Sequence, residues 1–395
     1  MKIIDSHINI GQPFVISRFR ERPSFVHAFP HAWRTPAGRI FLSISKERDI
    51  HDMERFLLKS DDCGQSWQET DDWPTARFPG SYPGASCAAG NGRMIVCLNA
   101  SFADKDGKGL VVPTWFSNDN GSTWSPMQDC RLHIADFELG DIYDHEWRSK
   151  SGYAQKMMKL GFLKPYPPAA LLPLFKKYST KRGPSLFRIV AIGGECLLGL
   201  MIASLNPGEK SSVIAVISED FGRNWHHLSV VARYSQRYAD KTIGEEDGFD
   251  EPTILRFPDG ELLVIMRMGS FYPLYAVRSG DNGKTWTEPE KMSICGVLPT
   301  AVLLDNDILA LATGRPDVTL NFNHDRGKSW GNQTKLLDSS KGERSTSNVA
   351  LIKLEGNKLL YIYDSFDADP AGKDYWLREH GFGRVLGRFI EIKPA

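Results

Sequence analysis

Three groups of residues have the types and spacing for chemistry. The first is the run Asp250-Glu251-Pro252-Thr253 through Val264-Ile265-Met266-Arg267, where a Glu opens one apolar stretch and an Arg ends the next. The second is Gly314-Arg315-Pro316-Asp317. Two guanidiniums aimed into one pocket bind a carboxylate through forked, charge-assisted hydrogen bonds. The same two arginines can instead be surface or inter-sheet ion-pair residues. The third group is Arg48-Asp49-Ile50-His51-Asp52-Met53-Glu54. Acids and a histidine packed this densely can hold pKa values suited to proton transfer. His31 or His51 could also serve as a base against a carbon acid, with the arginine pair holding the developing charge.

These residues need elements to position them, and the repeats supply those elements. Ser-x-Asp-x-Gly-x-x-Trp occurs around Asp62, Asp119, Asp220 and Asp281, and a fifth copy around Asp325 replaces Ser with Asn323. The motif reads as a structural hairpin turn: Asp caps backbone N–H groups, Gly takes a positive φ, and Trp packs between sheets. A second repeat is a turn followed by an apolar strand, as in Gly38-Arg39-Ile40-Phe41-Leu42 and Gly260-Glu261-Leu262-Leu263-Val264, with six copies in all. Each unit thus reads as four strands, and radial repetition protects the edges of such sheets.

The expected fold is all-β: a six-bladed β-propeller of four-stranded antiparallel blades, one domain over residues 1–395. Six strand signals and five boxes leave the last blade without a box. Phe14–Ser17 is expected to pair with that blade and close the ring, and the run Arg384–Ile390 to complete it. Boxes two and three lie 101 residues apart, against 44 to 61 for the others. The surplus, 131–185, contains a helical pattern and a Pro-rich stretch. It predicts a partly helical insertion between blades two and three: a lid or packing flap, or, since Lys156, Lys159, Lys176 and Lys177 flank apolar residues, a dimer contact or membrane-surface patch.

Composition narrows the partners. Lys+Arg and Asp+Glu both total 48, so no general attraction to nucleic acid or an acidic membrane follows. No stretch approaches the roughly 18 apolar residues that span a bilayer. The N-terminus lacks a signal-like apolar region, which predicts a cytoplasmic protein. The six cysteines form no CxxC pair, so they are expected reduced and mostly buried. No metal site of close Cys/His spacing is expected, and no cofactor.

The boxes, the blade count and the Glu251–Arg267 run resemble the sialidases (neuraminidases) and their Asp-box relatives. The resemblance implies that Glu251 supports the nucleophile and that Arg267 and Arg315 belong to a three-arginine clamp on the substrate carboxylate. It implies a general acid/base at Asp49 or Asp52. The sequence departs from that pattern twice. The first clamp position is Ala28 in His27-Ala28-Phe29-Pro30-His31, with Arg22 or Arg34 as nearby substitutes. Asn348 falls where the family has its Tyr nucleophile, and Tyr272, Tyr275, Tyr361 and Tyr363 are all out of register.

The expected function is therefore a sialidase-like, exo-acting glycosidase on a carboxylate-bearing sugar. Its proposed catalytic set is Asp49, Asp52, His51 and Glu251, and its substrate-binding set is Arg267, Arg315, His31, Asn348 and Arg34. A uronate polysaccharide lyase and a non-catalytic glycan-binding propeller are the alternatives.

Overall fold

The computed structural model describes residues 8–18, 30–45, 55–77, 84–104, 109–134, 177–178, 183–206, 209–240, 242–243, 246–305, 307–366 and 383–392. Its local units are the five boxes. In the first, Asp62 Oδ1 accepts from Gln65 N at 3.0 Å and Ser66 N at 2.9 Å, and Ser60 Oγ accepts from Gly64 N at 2.8 Å. The Trp67 indole N–H donates to Gly64 O at 3.1 Å. In the fifth, Asn323 Oδ1 takes the serine's part and accepts from Asp325 N at 2.8 Å. Hydroxyl donors at Ser66, Thr123 and Thr285 are the main reason that Asp62, Asp119 and Asp281 are held at about 2. Their support of the fold is present above the ordinary carboxylate range and fades only as pH falls through about 2.

Each box joins the third and fourth strands of an antiparallel sheet. The first sheet holds β3 (His31–Arg34), β4 (Ile40–Ser45), β5 (Arg55–Ser60) and β6 (Gln68–Glu69). Next come β7 (Ala85–Gly90), β8 (Arg93–Cys97), β10 (Leu110–Ser117) and β11 (Gln128–His133), with β9 (Phe102–Ala103) on β10. Then follow β12 (Ser185–Gly193), β13 (Cys196–Ala203), β14 (Ser212–Ser218) and β15 (Asn224–Ala232). A parallel β11–β15 pairing, Arg131↔Asn224 to His133↔His226, fuses these two sets into one nine-stranded sheet. Two four-stranded sheets succeed it. One is β16 (Asp250–Arg256), β17 (Leu262–Arg267), β18 (Pro273–Ser279) and β19 (Glu290–Cys295). The other is β20 (Val297–Leu303), β21 (Leu309–Gly314), β22 (Val318–Asn323) and β23 (Gly331–Leu337). The last sheet holds β24 (Val349–Lys353), β25 (Lys358–Phe366) and β26 (Gly383–Ile392). Its outer edge pairs with β1 (Ile8–Ile10) and β2 (Phe14–Arg18), so the two ends of the chain share one sheet.

The second strands, such as Leu262–Met266, are apolar on both faces because each sheet is covered on both sides. Apolar clusters join each set to the next. Phe41 meets Met94 and Val96, Leu198 meets Val264, Leu263 meets Leu309, and Leu320 meets Leu359. Ile40 and Leu42 meet Ile352 and Leu360 of the last sheet, which closes the circuit. The boxes are part of these seams. A Cβ on Gly64 would lie 2.5 Å from Leu360, and one on Gly222 would lie 2.1 Å from Ile95. Gly222→Ala, at φ +82, is therefore expected to cost about 2–4 kcal/mol by strain and overpacking together. Gly194→Ala, at φ +57 in open space, should cost only the strain of about 1–2 kcal/mol. Urea unfolding of both variants checks this, and equal losses would count against the seam.

The helical part of the 131–185 reading lies outside the described residues. Where that stretch returns, Tyr178 stacks on Phe102 at 5.3 Å and its hydroxyl donates to Asp129, so it packs back on β10 and β11. Among the described residues no helix is long and apolar enough to cross a membrane. All six cysteines are free; Cys87, Cys97 and Cys130 are buried and Cys295 is exposed.

Candidate functional site

A channel of about 570 Å³ runs along the innermost strands, with walls from β3, β7, β12, β16, β20 and β24. His31, Arg188, Thr253, Leu298 and Val349 are among its lining. At one end of it the first strands begin and the second strands finish. Glu251 and Arg267 stand there together, because Asp250 pairs with Arg267 across β16 and β17 and a bulge follows at Glu251.

The backbone at this end is strained in successive sheets. Glu251 has φ +46, Leu298 φ +47 and Ser347 φ +69, each where an innermost strand starts, and Arg315 has φ +68 just beyond β21. A left-handed L-residue costs about 1–2 kcal/mol and persists only where its surroundings fix it. One such constraint is visible: Leu298 N donates to Glu251 Oε2 at 2.8 Å, tying one strained turn to the next.

Three carboxylates gather on one guanidinium. Arg267 Nε lies 3.1 Å from Glu251 Oε2, and its Nη2 lies 3.3 Å from Asp247 Oδ2 and 3.8 Å from Asp250 Oδ2. Asp250 Oδ1 accepts from Glu251 N at 2.6 Å. Burial is the main reason that the Asp250 carboxyl is raised to about 6, with Arg267 opposing the shift and Glu251 adding to it. Arg188 is a second cation here. It lies over the Phe187 ring at 4.7 Å, and burial lowers it to about 10 against the pull of Glu251, so it stays charged at neutral pH. Among the described residues no group of His, Cys, Asp and Glu is arranged to hold a metal ion.

Arg315 is the third cation and is nearly buried. Its Nη1 donates to Ser270 Oγ at 2.8 Å, on the turn that follows Arg267, and its Nη2 donates to Thr346 O at 3.3 Å. Thr346 is itself held by the buried Asp364, which accepts from Thr346 N at 2.7 Å and Ser345 Oγ at 2.6 Å. The side chain of Asn348 is also turned inward, donating to Thr346 Oγ1 at 3.1 Å, and β24 starts one residue after it.

The sequence-predicted residues thus divide. Glu251 and Arg267 meet directly, and Arg315 joins them through Ser270. His31 begins β3 at the same end, paired with Ser43. Arg34 stands at the opposite end of β3, where it donates to Gly38 O at 3.3 Å and Lys353 O at 3.4 Å, so it does not replace the missing clamp arginine. Asp49, His51 and Asp52, like Arg22 and Ala28, lie outside the described residues. None of the four substitute tyrosines is available as a nucleophile. Tyr361 donates to Thr319 O, Tyr363 accepts from Arg388, and Tyr272 and Tyr275 are buried in the seam with Phe249. Asp247, Asp250, Arg188 and Asp364 were missed. Only the acid-dense run Glu245-Glu246-Asp247-Gly248-Phe249-Asp250-Glu251 carried a signal for any of them.

Radially arranged four-stranded sheets with Asp-box turns in the seams define an Asp-box β-propeller architecture. Residues 193–345 match the BNR repeat-like domain family. No curated protein matches the chain. Among solved structures, a protein of unknown function from Dyadobacter fermentans is 18% identical, with TM-score 0.64, covering 98% of this chain and 100% of that one. The Hadza microbial sialidase Hz136 is 14% identical, with TM-score 0.57, covering 93% and 68%. An α-L-arabinanase of Penicillium chrysogenum, complexed with arabinobiose, is 15% identical, with TM-score 0.56, covering 96% and 98%. At these identities the likeness is one of fold.

Proposed function

We propose that the chain is a six-bladed propeller glycosidase that removes a carboxylate-bearing sugar from a glycan. The observation that carries this reading is Arg267 paired with Glu251 and Arg315 held on the turn that follows Arg267, with Arg188 in the channel wall, where it feels the charge of Glu251. Three guanidiniums on neighbouring sheets suit a carboxylate better than a neutral ring. Arg188 takes the part for which the sequence offered no arginine at position 28. The inserted excursion read from the sequence at 131–185, most of which lies outside the described residues, is assigned to a lid or to oligomer contacts.

The acid/base carboxylate is assigned to Asp49 or Asp52. Strand β4 ends at Ser45 and β5 starts at Arg55, with Ser45 and Arg55 paired at the end where β3 begins. With Tyr272, Tyr275, Tyr361 and Tyr363 engaged in the core, water is taken as the attacking group. The reaction then inverts the anomeric centre, and acid and base stand about 6.5–9.5 Å apart.

The test uses uronic-acid and sialic-acid glycosides beside their neutral counterparts, with product analysis by NMR. Inverted acidic sugar is expected. An unsaturated sugar would make the protein a lyase, and binding without turnover a lectin-like propeller. Arg315→Ala is expected to weaken binding of the acidic sugar by about 2–5 kcal/mol and of the neutral analogue far less, measured by calorimetry. Equal losses on both would remove the carboxylate from the reading.

A further inference from the structure

We propose that Arg188, with the hydroxyls of Thr253 and Thr300 at the same level of the channel, takes the carboxylate of a hexuronic acid, so that the substrate is a glycan ending in a uronic acid rather than in a sialic acid. This rests on the glycosidase reading above and names the sugar class which that reading leaves open. The ionisable residues that line the channel are His31, Arg34, Arg188 and Lys353, and among the described residues no carboxylate joins them. Its volume, about 570 Å³, is that of a ligand pocket. A channel of this size with cations and no acid in its wall suits an anionic ligand.

Arg188 is the cation with donors to spare. Lys353 pairs with Asp305 at 2.6 Å, and Arg34 donates to Gly38 O and Lys353 O. Arg188 Nη1 donates to Phe187 O at 3.1 Å, and the guanidinium lies over the Phe187 ring at 4.7 Å. Among the described residues it has no ion pair, so the rest of its fork is open to the channel that it lines. Arg267, by contrast, is shared by Asp247, Asp250 and Glu251, and Arg315 is held by Ser270 and Thr346 O. Those two add positive charge, while Arg188 offers the direct pair. Burial lowers Arg188 yet leaves it charged, and a partly desolvated guanidinium gains more from an anion than one in water does.

Register places the two hydroxyls. Strand β12 lies beside β16, and β16 beside β20. Each of the three bulges near its start, and Arg188, Thr253 and Thr300 are the first paired residues after the bulge, opposite Leu200, Ile265 and Ala312. All three line the channel, one layer further in than Glu251 and Leu298, which sit in two of the bulges. Among the described residues neither threonine has a side-chain hydrogen bond. A carboxylate at this level meets a guanidinium fork and two hydroxyl donors. Depth then selects the sugar. In an exo-acting enzyme the glycosidic bond stays at the mouth, because the rest of the glycan is outside. A sialic acid carries its carboxylate on the anomeric carbon itself, and so at the mouth. A hexuronic acid carries it on the carbon across the ring oxygen, clear of the scissile bond, where it points down the channel.

Calorimetry on the full chain tests this with D-glucuronate and D-galacturonate, the uncharged amide of each, and N-acetylneuraminate. One hexuronate is expected to bind at least about 10-fold more tightly than N-acetylneuraminate. Arg188→Gln should weaken that hexuronate by about 30-fold or more and its amide little, so the gap between acid and amide closes. Arg188→Lys, which keeps the charge and not the fork, should lose less. Thr253→Val should lose about 10-fold, and it decides the matter if Arg188→Gln does not fold. Unchanged hexuronate affinity in Arg188→Gln, or equal losses on acid and amide, overturns the proposal. Tighter binding of N-acetylneuraminate than of either hexuronate overturns it too, and leaves the acidic-sugar glycosidase in place. If a hexuronate binds through Arg188 but its glycosides are not cleaved, the glycosidase reading falls and the hexuronate site stands.

Discussion

Arg267→Ala should destabilise the protein by about 3 kcal/mol at neutral pH, and by much less near pH 4. Removing the guanidinium leaves Asp247, Asp250 and Glu251 facing one another with no cation on β17. Breaking one side of a buried pair costs about 3–5 kcal/mol. The lower end applies because half of the Asp247 side chain is in water, which screens its share. Acid relieves the repulsion by neutralising Asp250, whose carboxyl burial raises to about 6. The native protein has a related but opposite-looking dependence. Burial raises Asp250 from 3.8 to about 6, so the stabilisation linked to its proton is full below about 3.8 and is lost as pH rises through 6. Asp250→Asn should flatten that part of the stability curve. Urea unfolding of native and variant protein at pH 4, 5.5 and 7.5 measures both effects. A loss in Arg267→Ala that does not change with pH would show that the cluster is not electrostatically strained.

The second large effect belongs to Asp364, which is fully buried on β25. Its carboxylate accepts from Ser345 Oγ at 2.6 Å, from Thr346 N at 2.7 Å and from the Thr346 hydroxyl. Asp364→Ala strands these donors in the interior, at an expected cost of about 3–5 kcal/mol. It also frees the turn whose carbonyl, Thr346 O, holds Arg315. Asp364→Asn keeps the volume and one acceptor and should lose about half as much. Acid should not rescue either variant, which separates this effect from that at Arg267. Thermal unfolding at two pH values gives the answer, and an unchanged midpoint for Asp364→Ala would exclude the turn-holding role.

Some of this was readable from residues alone, and the reason is locality. A box is closed by bonds within eight residues, such as Asp62 to Ser66, so its pattern survives in any copy. The pairing of Phe14–Arg18 with the C-terminal strand was legible from the missing strand count. Glu251 and Arg267 were legible because two strands and one turn set their register. What failed to show depends on neighbouring sheets. Arg188 lines the channel from β12 and feels the charge of Glu251 on β16, and nothing near Arg188 in the chain announces it. Arg34 was misplaced because three residues along a strand move a side chain to the other end of a short β3. The boxes held one surprise of their own. The residue before each box glycine is also left-handed, including Phe221 and Arg326, types with no preference for that conformation. The turn imposes it, so residue type gave no warning.

The sharing of one sheet by both chain ends also orders events during synthesis. Strands β1 and β2 leave the ribosome before the other described strands, yet their partner β26 leaves it after all of those. Until then the first strands have no ladder to join, and the hydrophobic side of β3–β6 that later meets Ile352 and Leu360 stays open. The earlier sheets can fold as neighbours in sequence, each through short loops. The final sheet must instead bring together residues almost a whole chain apart, the kind of closure that is slow because its entropy is lost before contacts repay it. An unfinished chain therefore has a long-lived sticky flank, and a finished one has a clasp whose release opens the ring at a single seam.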